Sequence, residues 1–438
     1  MSFPDLDAAL AWLDSHIDFE STAPTVRTRP SLERMRTLAA LLGDPQSAYP
    51  SLHITGTNGK GSTAAMATAL LGARGLKVGT YTSPNLSRVN ERIACDGEPI
   101  DDAAFTDLLA QLAGVASVMD EPPTRFELLT AAALTWFADE AVDVAVVEVG
   151  LGGTWDCTNV VDGTVCVVTS IGFDHAEVLG PTLEDIARDK SGIFGPGARV
   201  VVGETDPGLV DLLRRAAADA GAGPTWVRGE AFACTSNRMA VGGRLIDLRT
   251  PGAAYGELLL PLHGSHQADN AACALAAVEA FFGAPLHEDV VAEGLGSVRV
   301  PGRLEVVGRQ PLVLVDGAHN APGMVVLARS LMEELAVPGE TVAVVGMLGG
   351  RDPSTMLGSL AEAGVRSVVC CTPDSPRALP ATVIAEAARA LGMAAEVVEE
   401  PAQATRAAVA AAGPEDRVVV CGSLYVVADA REALAAPA

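Results

Sequence analysis

The stretch that decides the fold is LHITGTNGKGST, residues 52–63. Its first residues, Leu52–Thr55, are mostly apolar or β-branched and predict a buried strand. Three glycines surround Lys60, and Ser62 opens a run of helical periodicity. Glycines allow backbone N–H groups to turn toward a phosphate, and a helix N-terminus favours negative charge. The stretch therefore predicts a phosphate-binding loop between a strand and a helix.

The side chains of this loop are of the types that bind a nucleoside triphosphate. Lys60 is expected to reach the β- and γ-phosphates, and the hydroxyl of Ser62 or Thr63 to lie near a magnesium ion. The spacing differs from the common G-x-x-x-x-G-K-[ST] pattern, because Gly61 separates Lys60 from Ser62. The residues of the loop predicted to bind the nucleotide are Thr57, Asn58, Gly59, Lys60, Gly61 and Ser62.

Apolar, β-branched runs alternate with helical periodicity along most of the chain, which is typical of α/β domains with mainly parallel sheets. In the first part of the chain, the predicted strands are Leu52–Thr55, Val78–Tyr81, Val142–Val147, Val165–Ser170 and Arg199–Val202. In the second part, they are Leu312–Val315, Thr341–Val345, Val365–Cys371 and Arg417–Cys421. The predicted helices include Ser62–Arg74, Phe126–Asp139, Asp206–Ala220 and Gln267–Phe282.

The length and punctuation of the chain predict two domains. Its 438 residues exceed the roughly 100–200 residues of one domain. A stretch punctuated by Gly and Pro, Gly294–Pro301, follows a predicted helix. We therefore expect a first domain of residues 1–296 and a second of residues 297–438. Within the first, Glu230–Leu262 carries short strand-like pieces and turns, which predict an antiparallel excursion.

Composition excludes several classes of protein. The chain is 49% hydrophobic and carries 30 Lys+Arg against 55 Asp+Glu, a net charge of −25. This disfavours a disordered chain and a protein of nucleic acid or anionic membranes. The N-terminus is unlike a signal peptide, and no uncharged run reaches the ~18 residues of a membrane helix. The eight cysteines form no C-x-x-C pair, so we expect free thiols in a cytoplasmic protein.

Polar residues that follow predicted strands are candidates for a metal site. Glu148 and His175 each come after an apolar strand, at the edge where open parallel sheets bind ligands. With the hydroxyl of Ser83, they form a donor set for one or two magnesium ions, since Mg²⁺ prefers oxygen ligands and keeps several waters. The chain has only three lysines, and two of them, Lys60 and Lys190, lie in motifs, which points to chemistry that arginine cannot perform.

A series of motifs carries a resemblance to a known family. In chain order they are TGTNGKGST, TSPNL with RVNERI, EVGLGG with DCTN, TSIGFDH, DKSGIF, HQADNAACAL, PGRLE and DGAHN. With these motifs the chain resembles the folylpolyglutamate synthase family, which includes the bifunctional dihydrofolate synthases and belongs to the Mur ligase superfamily. The resemblance extends from about residue 30 to the C-terminus.

The resemblance implies an α/β fold in which a P-loop-containing, Mur-ligase-like central domain is followed by a smaller Rossmann-like domain. It also implies an ATP-dependent ligase that adds L-glutamate to tetrahydrofolate, and to dihydropteroate, through an acyl phosphate. A carboxylate is a poor electrophile, so this reaction needs ATP as a substrate and Mg²⁺ to neutralise phosphoryl charge.

Functional residues follow from the resemblance position by position. Ser83 and Glu148 match ligands of one magnesium ion, and Glu148 and His175 match ligands of a second. Lys190 matches a carbamylated lysine, and His319 is expected close to the γ-phosphate. The resemblance makes Lys60, Lys190 and His319 the expected catalytic residues, and it adds Asn270, Arg303 and Asp316 to the ATP-binding set.

The folate-binding segments are the least regular part of the resemblance. The segment at residues 154–157 departs from the family's Arg-Leu-Asp-Ala run, and the missing arginine puts in question one charged contact to the substrate or to glutamate. Trp155 could stack on an aromatic ring of the ligand or be a buried structural residue. The residues expected to bind folate are Thr124, Arg125, Phe126, Glu127, Trp155, Asp156 and Cys157.

Two alternative functions stay open at this point. A peptidoglycan Mur ligase is disfavoured, because only about 55 residues precede the phosphate loop, too few for a UDP-binding domain. A P-loop nucleotide switch without ligase activity would need neither Lys190 nor a second α/β domain with DGAHN. We expect a monomer whose partners are small molecules: ATP, L-glutamate, and folate or dihydropteroate.

Overall fold

A computed structural model describes residues 2–18, 20 and 32–435 of the chain. These residues divide into two units, and each is an α/β arrangement, so the predicted fold class is confirmed. The first unit is Met1–Ala240 with Arg244–Pro261 and Gln267–Val298, and the second is Val241–Gly243 with Leu262–His266 and Arg299–Ala438.

The first unit is built on an eight-stranded, mainly parallel sheet. Its strands are β1 (Ser51–Thr55), β2 (Val78–Tyr81), β3 (Ile93–Cys95), β4 (Glu98–Pro99), β5 (Val144–Glu148), β6 (Gly163–Val168), β7 (Arg199–Val202) and β8 (Thr225–Val227). They lie in the order β4-β3-β2-β5-β1-β6-β7-β8, and the two pairs that involve β3 are antiparallel. Strand β1 pairs in parallel with β5 and β6. The carboxyl ends of β1, β2, β5, β6 and β7 therefore meet at one edge of the sheet.

Helices cover both faces of this sheet. They are α1 (Leu6–Asp14), α2 (Leu32–Leu41), α3 (Lys60–Ala73), α4 (Asp102–Ala116), α5 (Arg125–Asp139), α6 (Ala176–Leu179), α7 (Leu183–Lys190), α8 (Pro207–Asp219), α9 (His266–Phe282) and α10 (Glu288–Ser297). One apolar cluster joins the sheet to α1, α2, α4 and α5, and another joins it to α7 and α8. Because both faces are covered, all five residues of β1 and of β5 are buried.

The predicted antiparallel excursion is confirmed. Strands β9 (Ala233–Ala240), β10 (Gly243–Arg249) and β11 (Ala254–Leu260) form a separate three-stranded sheet. β10 and β11 pair in antiparallel register, with Leu245 opposite Leu259. Buried and more exposed positions alternate along much of β10, as expected of a sheet with one covered face.

The second unit is a Rossmann-like α/β arrangement. Its strands are β12 (Glu305–Arg309), β13 (Leu312–Val315), β14 (Thr341–Val345), β15 (Ser367–Cys370), β16 (Ala394–Val397) and β17 (Arg417–Cys421). Its helices are α11 (Ala321–Glu333), α12 (Pro353–Glu362), α13 (Ala381–Ala390), α14 (Pro401–Ala411) and α15 (Leu424–Ala435). The strand order is β12-β13-β17-β14-β15-β16, and the pair formed by β12 and β13 is antiparallel whereas the other pairs are parallel.

The strand predicted at Val142–Val147 begins two residues later in the structure. The residue before it, Ala141, has a φ of +50°, and the N–H of Val142 donates to the Phe137 carbonyl at 3.1 Å. These two residues therefore complete the end of α5 before the chain becomes extended. The strand then continues one residue further than predicted, through Glu148.

Two general expectations can be compared with the described residues. All eight cysteines are free thiols, as their spacing predicted. Within residues 2–18, 20 and 32–435, no helix is both long and apolar enough to cross a membrane.

Arg417 is a buried arginine whose side chain donates to carbonyls at the C-terminal end of α11 in the second unit. Its side chain, on β17, donates to the carbonyls of Leu331 and Leu335 and, at 2.9 Å, to Oγ1 of Thr341. Carbonyls at a helix C-terminus lack partners within the helix and favour a positive charge. Arg417 supplies these carbonyls with hydrogen-bond donors and with a positive charge. Burial lowers the pKa of Arg417 from its ordinary value.

We predict that Arg417→Met destabilises the protein by about 2–3 kcal/mol, because the carbonyls at the end of α11 lose their donor in a buried site. The matched control is Arg366→Met, since the exposed Arg366 donates to the Ala361 carbonyl near the end of α12. That change should cost less than about 1 kcal/mol. Urea unfolding followed by circular dichroism measures both, and equal losses would contradict the role given to Arg417.

Candidate active site

The predicted phosphate loop lies between β1 and α3. Helix α3 begins at Lys60, after Gly59, whose φ of +85° is in the left-handed region. A Cβ on Gly59 would lie 2.4 Å from Oδ1 of Asn270, and a Cβ on Gly56 would lie 1.9 Å from Oγ1 of Thr169. Only glycine fits these two positions. The loop thereby brings its backbone and the N-terminus of α3 to the carboxyl edge of the sheet, where an anion is favoured.

The loop is fastened to the chain that leaves β6. The N–H of Thr57 donates to the Ser170 carbonyl at 2.8 Å, and the Thr57 hydroxyl bonds with both the N–H and the carbonyl of Gly172 at 3.0 Å. The Asn58 carbonyl accepts from the hydroxyls of Thr169, at 2.7 Å, and Ser170, at 3.1 Å. Thr169 and Ser170 were not among the predicted site residues. The only signal for them was their place in the TSIGFDH motif.

Two lysines meet at one backbone oxygen of the loop. The Nζ of Lys60 donates to the Gly56 carbonyl at 3.1 Å, and the Nζ of Lys190 donates to the same oxygen at 2.9 Å. Lys190 is buried, with 4% of its surface exposed. Burial, reinforced by the nearby charge of Lys60, lowers the pKa of Lys190 to about 7. The Lys190 amine is therefore largely neutral above pH 7, where it is a nucleophile.

Glu148 and Ser83, which the resemblance implies to be ligands of one magnesium ion, lie within hydrogen-bond distance of each other, and their role as metal ligands stays a prediction. The N–H of Ser83 donates to Oε2 of Glu148 at 3.1 Å, and a Cβ on Gly61 would lie 3.5 Å from that same oxygen. The carboxylate therefore faces both the first turn of α3 and the chain after β2. Carboxylate and hydroxyl oxygens suit Mg²⁺, so the residues present fit this ion. Among the described residues, no three His, Cys, Asp or Glu side chains form a metal-binding cluster, and Mg²⁺ commonly completes its shell with waters and phosphate oxygens.

His175 lies on the loop after β6, and its backbone is in the left-handed conformation. Its φ is +52°, and it immediately precedes the short helix α6. Its ring nitrogens lie 3.8 Å from a carboxylate oxygen of Asp174 and 3.9 Å from one of Glu177. His175 thus belongs to the same loop as the residues that fasten the phosphate loop, while its role as a metal ligand stays a prediction.

Several residues predicted to bind folate make contacts within the protein. Thr124 and Glu127 form a reciprocal capping box at the N-terminus of α5. Both carboxylate oxygens of Glu127 also accept from Arg34, at 2.6 and 2.8 Å. Arg125 donates to Asp14 at 2.8 Å. These side chains fix the start of α5 against the N-terminal part of the unit.

In the second predicted folate segment, Asp156 and Cys157 are buried, whereas Trp155 is exposed. Asp156 accepts from the N–H of Leu151 at 2.9 Å and from the N–H and hydroxyl of Thr158 at 2.9 and 2.5 Å. Burial raises the pKa of Asp156, and it raises the pKa of the Cys157 thiol well above its ordinary value. By contrast, the side chain of Trp155 is 44% exposed, so the alternative of a buried structural tryptophan is wrong.

His53 is a buried partner of this segment. Its Nε2 lies 2.8 Å from the hydroxyl of Thr158, which itself donates to Asp156. The His53 ring therefore donates to that hydroxyl through Nε2–H. Burial lowers the pKa of His53 to about 3, so the ring is neutral. The signal in the sequence was a histidine between the apolar residues Leu52 and Ile54 of strand β1, which was not among the predicted site residues.

The remaining predicted nucleotide residues fall in different units. Asn270 lies against Gly59 in the first unit. In the second unit, Asp316 accepts two backbone N–H groups, each at 2.8 Å, and burial raises its pKa although the charge of Arg303 acts in the opposite sense. Nδ1 of His319 lies 2.7 Å from the Gly317 carbonyl and so carries a proton. Arg303 lies just before β12, whereas Asp316 and His319 follow β13, and an added Cβ on Gly317 would lie 2.3 Å from the Arg303 guanidinium, so the two segments are close together.

Comparison with protein families gives two matches that together cover most of the chain. Residues 54–278 match the model described as "Mur ligase middle domain". Residues 302–424 match the model described as "Mur ligase, glutamate ligase domain". Fold and site therefore define a protein of the Mur ligase class.

Individual relatives narrow this class. A dihydrofolate synthase/folylpolyglutamate synthase of Mycobacterium tuberculosis is 40% identical over 406 residues, which cover 88% of this chain and 82% of the relative. The chain belongs to the folylpolyglutamate synthase/dihydrofolate synthase family.

Solved structures agree with this assignment. The structure of Mycobacterium tuberculosis folylpolyglutamate synthase complexed with ADP has a TM-score of 0.91 at 37% identity and covers 99% of this chain and 98% of that one. A bifunctional folylpolyglutamate synthase/dihydrofolate synthase with Mn, AMPPNP and L-glutamate bound has a TM-score of 0.85 at 33% identity and covers 98% of each chain.

We predict that Gly59→Ala weakens ADP binding at least about tenfold, because the new methyl group meets Asn270 and the loop must open. The control is Gly75→Ala, since Gly75 also has a positive φ, +91°, but has no atom within 4 Å of an added Cβ. Both changes place an L-residue at a positive φ and so carry a similar backbone cost of about 1–2 kcal/mol. Isothermal titration with ADP distinguishes them, and parental affinity in Gly59→Ala would remove Gly59 from the nucleotide site.

Proposed function

We propose that the chain is an ATP-dependent ligase that joins a folate carboxylate to the amino group of L-glutamate. The observation that carries this proposal is the phosphate loop at which Lys60 and Lys190 share the Gly56 carbonyl, beside Glu148 and Ser83. The Mycobacterium tuberculosis relative is named as both a dihydrofolate synthase and a folylpolyglutamate synthase. We therefore propose two acceptors, tetrahydrofolate or its polyglutamates and dihydropteroate.

The reaction we propose has two steps. An oxygen of the folate carboxylate attacks the γ-phosphorus of ATP, and the bond between that phosphorus and the β–γ bridging oxygen breaks to release ADP. The amine of glutamate then attacks the acyl carbon of the acyl phosphate. Phosphate leaves with the electrons of the C–O bond, and the amine proton passes to water. Phosphorylation is needed because a carboxylate itself is a poor electrophile.

The residues of the first unit divide this work. The loop residues Thr57–Ser62 cradle the phosphates, and the charge of Lys60 offsets the negative charge that grows on the transferred phosphoryl group. Two magnesium ions supply further neutralisation of phosphoryl charge when bound. In this proposal, Ser83 and Glu148 hold one ion, and Glu148 and His175 hold the other.

Further residues complete the proposed binding sites. Asn270, Arg303 and Asp316 bind the nucleotide, and His319 acts close to the γ-phosphate. The internal contacts of Arg125 and Glu127 support a role in which they fix the start of α5 for the ligand. The exposed indole of Trp155 supports direct contact with an aromatic ring. The proposed folate-binding set is Thr124, Arg125, Phe126, Glu127, Trp155, Asp156 and Cys157.

The wider description of the protein is also part of the proposal. We propose functional domains of residues 1–296 and 297–438, a monomeric enzyme, and small molecules rather than nucleic acid or membranes as partners. Eight free thiols, six of them buried, suit a reducing compartment, and we therefore propose a cytoplasmic location.

The assay that tests the function measures ADP release from the purified protein. We predict release that requires both L-glutamate and either tetrahydrofolate or dihydropteroate. In Lys60→Ala, we predict a loss of about 100-fold or more, since the phosphoryl charge loses its cation. Thermal unfolding serves as the check that this variant folds. ADP release that depends on neither L-glutamate nor the folate substrate would instead indicate a nucleotide switch.

We further propose that Lys190 is carbamylated in the active enzyme. A carbamate forms when a neutral amine attacks CO₂ and then loses a proton, and burial supplies that neutral amine near pH 7. The product replaces a cation with an anion beside the phosphate loop. Such an anion can orient a water or a metal ion, which neither lysine nor arginine can do.

We predict that Lys190→Arg loses more than about tenfold of the ligase rate, because arginine cannot form this carbamate. Lys77→Arg, at a half-exposed ion pair with Glu140, should retain the parental rate. Because the amine protonates below its pKa of about 7, stimulation by bicarbonate should fall as the pH drops below 7. ¹³C NMR with labelled bicarbonate detects the carbamate directly, and full activity of Lys190→Arg would refute the proposal.

A further inference from the structure

Two sets of contacts hold the loop that carries Ser83: hydrogen bonds within the loop, and the buried side chain of Arg92. Residues 83–92, here called the Ser83 loop, connect the end of β2 to β3. From within, the carboxylate of Glu91 accepts the backbone N–H groups of Leu86, Ser87 and Arg88 at 2.9–3.2 Å. These bonds fold the middle of the loop, but they do not fix where the loop lies relative to the rest of the unit.

Arg92 supplies that attachment. It is 3% exposed, and its Nε donates to Oδ1 of Asn85 at 2.7 Å. Its two terminal nitrogens donate to the two carboxylate oxygens of Glu20, at 2.9 and 2.7 Å. The backbone carbonyl of Arg92 accepts from the N–H of Thr82, at the start of the chain that leads to Ser83. One buried guanidinium thus contacts the loop on one side and a distant carboxylate on the other.

Glu20 also forms an ion pair with a second arginine, Arg125. Its carboxylate lies 3.7 Å from Arg125, whose side chain also donates to Asp14. Burial by itself raises the pKa of Glu20, but the charge and hydrogen bonds of Arg92 outweigh it, so the pKa is lowered and the carboxylate is ionised at neutral pH. One ionic network therefore joins the Ser83 loop to Glu20 and to the start of α5, with the buried guanidinium of Arg92 at its centre.

We infer that Arg92 is a positioning residue for the metal site: by holding Asn85 against the fixed carboxylate of Glu20, it sets the position of Ser83 opposite Glu148. This inference rests on the proposed metal-binding role of Ser83 and Glu148. Asn85 is only two residues from Ser83, whose N–H donates to Glu148 at 3.1 Å. A shift of Asn85 therefore displaces Ser83 from the carboxylate.

The geometry requires arginine at this position. The guanidinium offers donors in a rigid planar fork and here serves three acceptors on two residues. A lysine keeps the positive charge, but its single nitrogen cannot span Asn85 and both oxygens of Glu20. Arg92→Lys therefore removes the positioning and retains the charge.

The same loop provides a matched control. Arg88, four residues earlier, makes one ion pair with Asp102, and the two side chains are 60% and 57% exposed. Exposed pairs of this kind contribute little. Arg88→Lys is therefore the same chemical change in the same loop without the buried contacts. Asn85→Ala, at a partly exposed position, removes the loop contact alone and serves if Arg92→Lys does not fold.

The experiment measures Mn²⁺ binding by electron paramagnetic resonance in the presence of AMPPNP, together with thermal unfolding and steady-state kinetics. We expect Mn²⁺ affinity to fall about tenfold in Arg92→Lys and in Asn85→Ala, as for other residues that support metal ligands. The Mg²⁺ concentration for half-maximal rate should rise by the same factor, while the KM for L-glutamate and the values for Arg88→Lys stay at those of the parent protein.

Two outcomes would overturn the inference. Parental Mn²⁺ affinity in both Arg92→Lys and Asn85→Ala would show that the network does not position the metal site. A lower unfolding temperature with unchanged Mn²⁺ affinity would make Arg92 a purely structural residue. Failure of the proposed function is seen separately, as a parent protein that binds Mn²⁺ and AMPPNP but shows no ADP release dependent on folate and glutamate.

Discussion

Two lysine side chains donate to a single backbone oxygen, that of Gly56, and the electrostatics of the site follow from this arrangement. Two ammonium groups held this close repel each other, and the repulsion is strong where one of them is buried. Burial of Lys190, reinforced by this repulsion, lowers its pKa to about 7, so its amine readily loses a proton. The glycine at position 56 permits this meeting because Thr169 leaves no room for a side chain.

The order of the sheet brings the other polar groups to these lysines. Because β1 lies between β5 and β6, the ends of those strands flank the phosphate loop. The chain after β6 then fastens the loop through Thr57 and Asn58, and β5 delivers Glu148 to the first turn of α3. Elsewhere in this unit, the buried Arg92 and the partly buried Arg34 are each paired with a carboxylate that is distant in sequence. Such pairs contribute less to stability than to fixing geometry, since desolvation offsets much of their attraction.

Much of the fold could be predicted from the sequence, because its signals are local. The run from Leu52 to Thr63 has a strand, a glycine loop and a helix in order, and each part forms for reasons contained within a few residues. Contacts between distant residues have no such signal. Arg92 and Glu20 are 72 positions apart, and nothing in either neighbourhood indicates the other. The T-x-x-E pattern at Thr124–Glu127 is a local capping signal, and the structure shows that these two residues form a capping box, whereas their predicted role in folate binding stays a prediction.

The acidity of the chain is compatible with anionic substrates for a related reason. A net charge of −25 is spread over the surface, and at physiological salt a charge is screened within about 8 Å. The amino groups of Lys60 and Lys190 lie at the phosphate loop itself, where partial burial of Lys60 and full burial of Lys190 reduce the screening of charge by solvent. Binding of phosphate is therefore decided by the few charges at the end of β1. The proposed carbamylation of Lys190 would add a negative charge at this point, and bound divalent cations together with Lys60 would offset it.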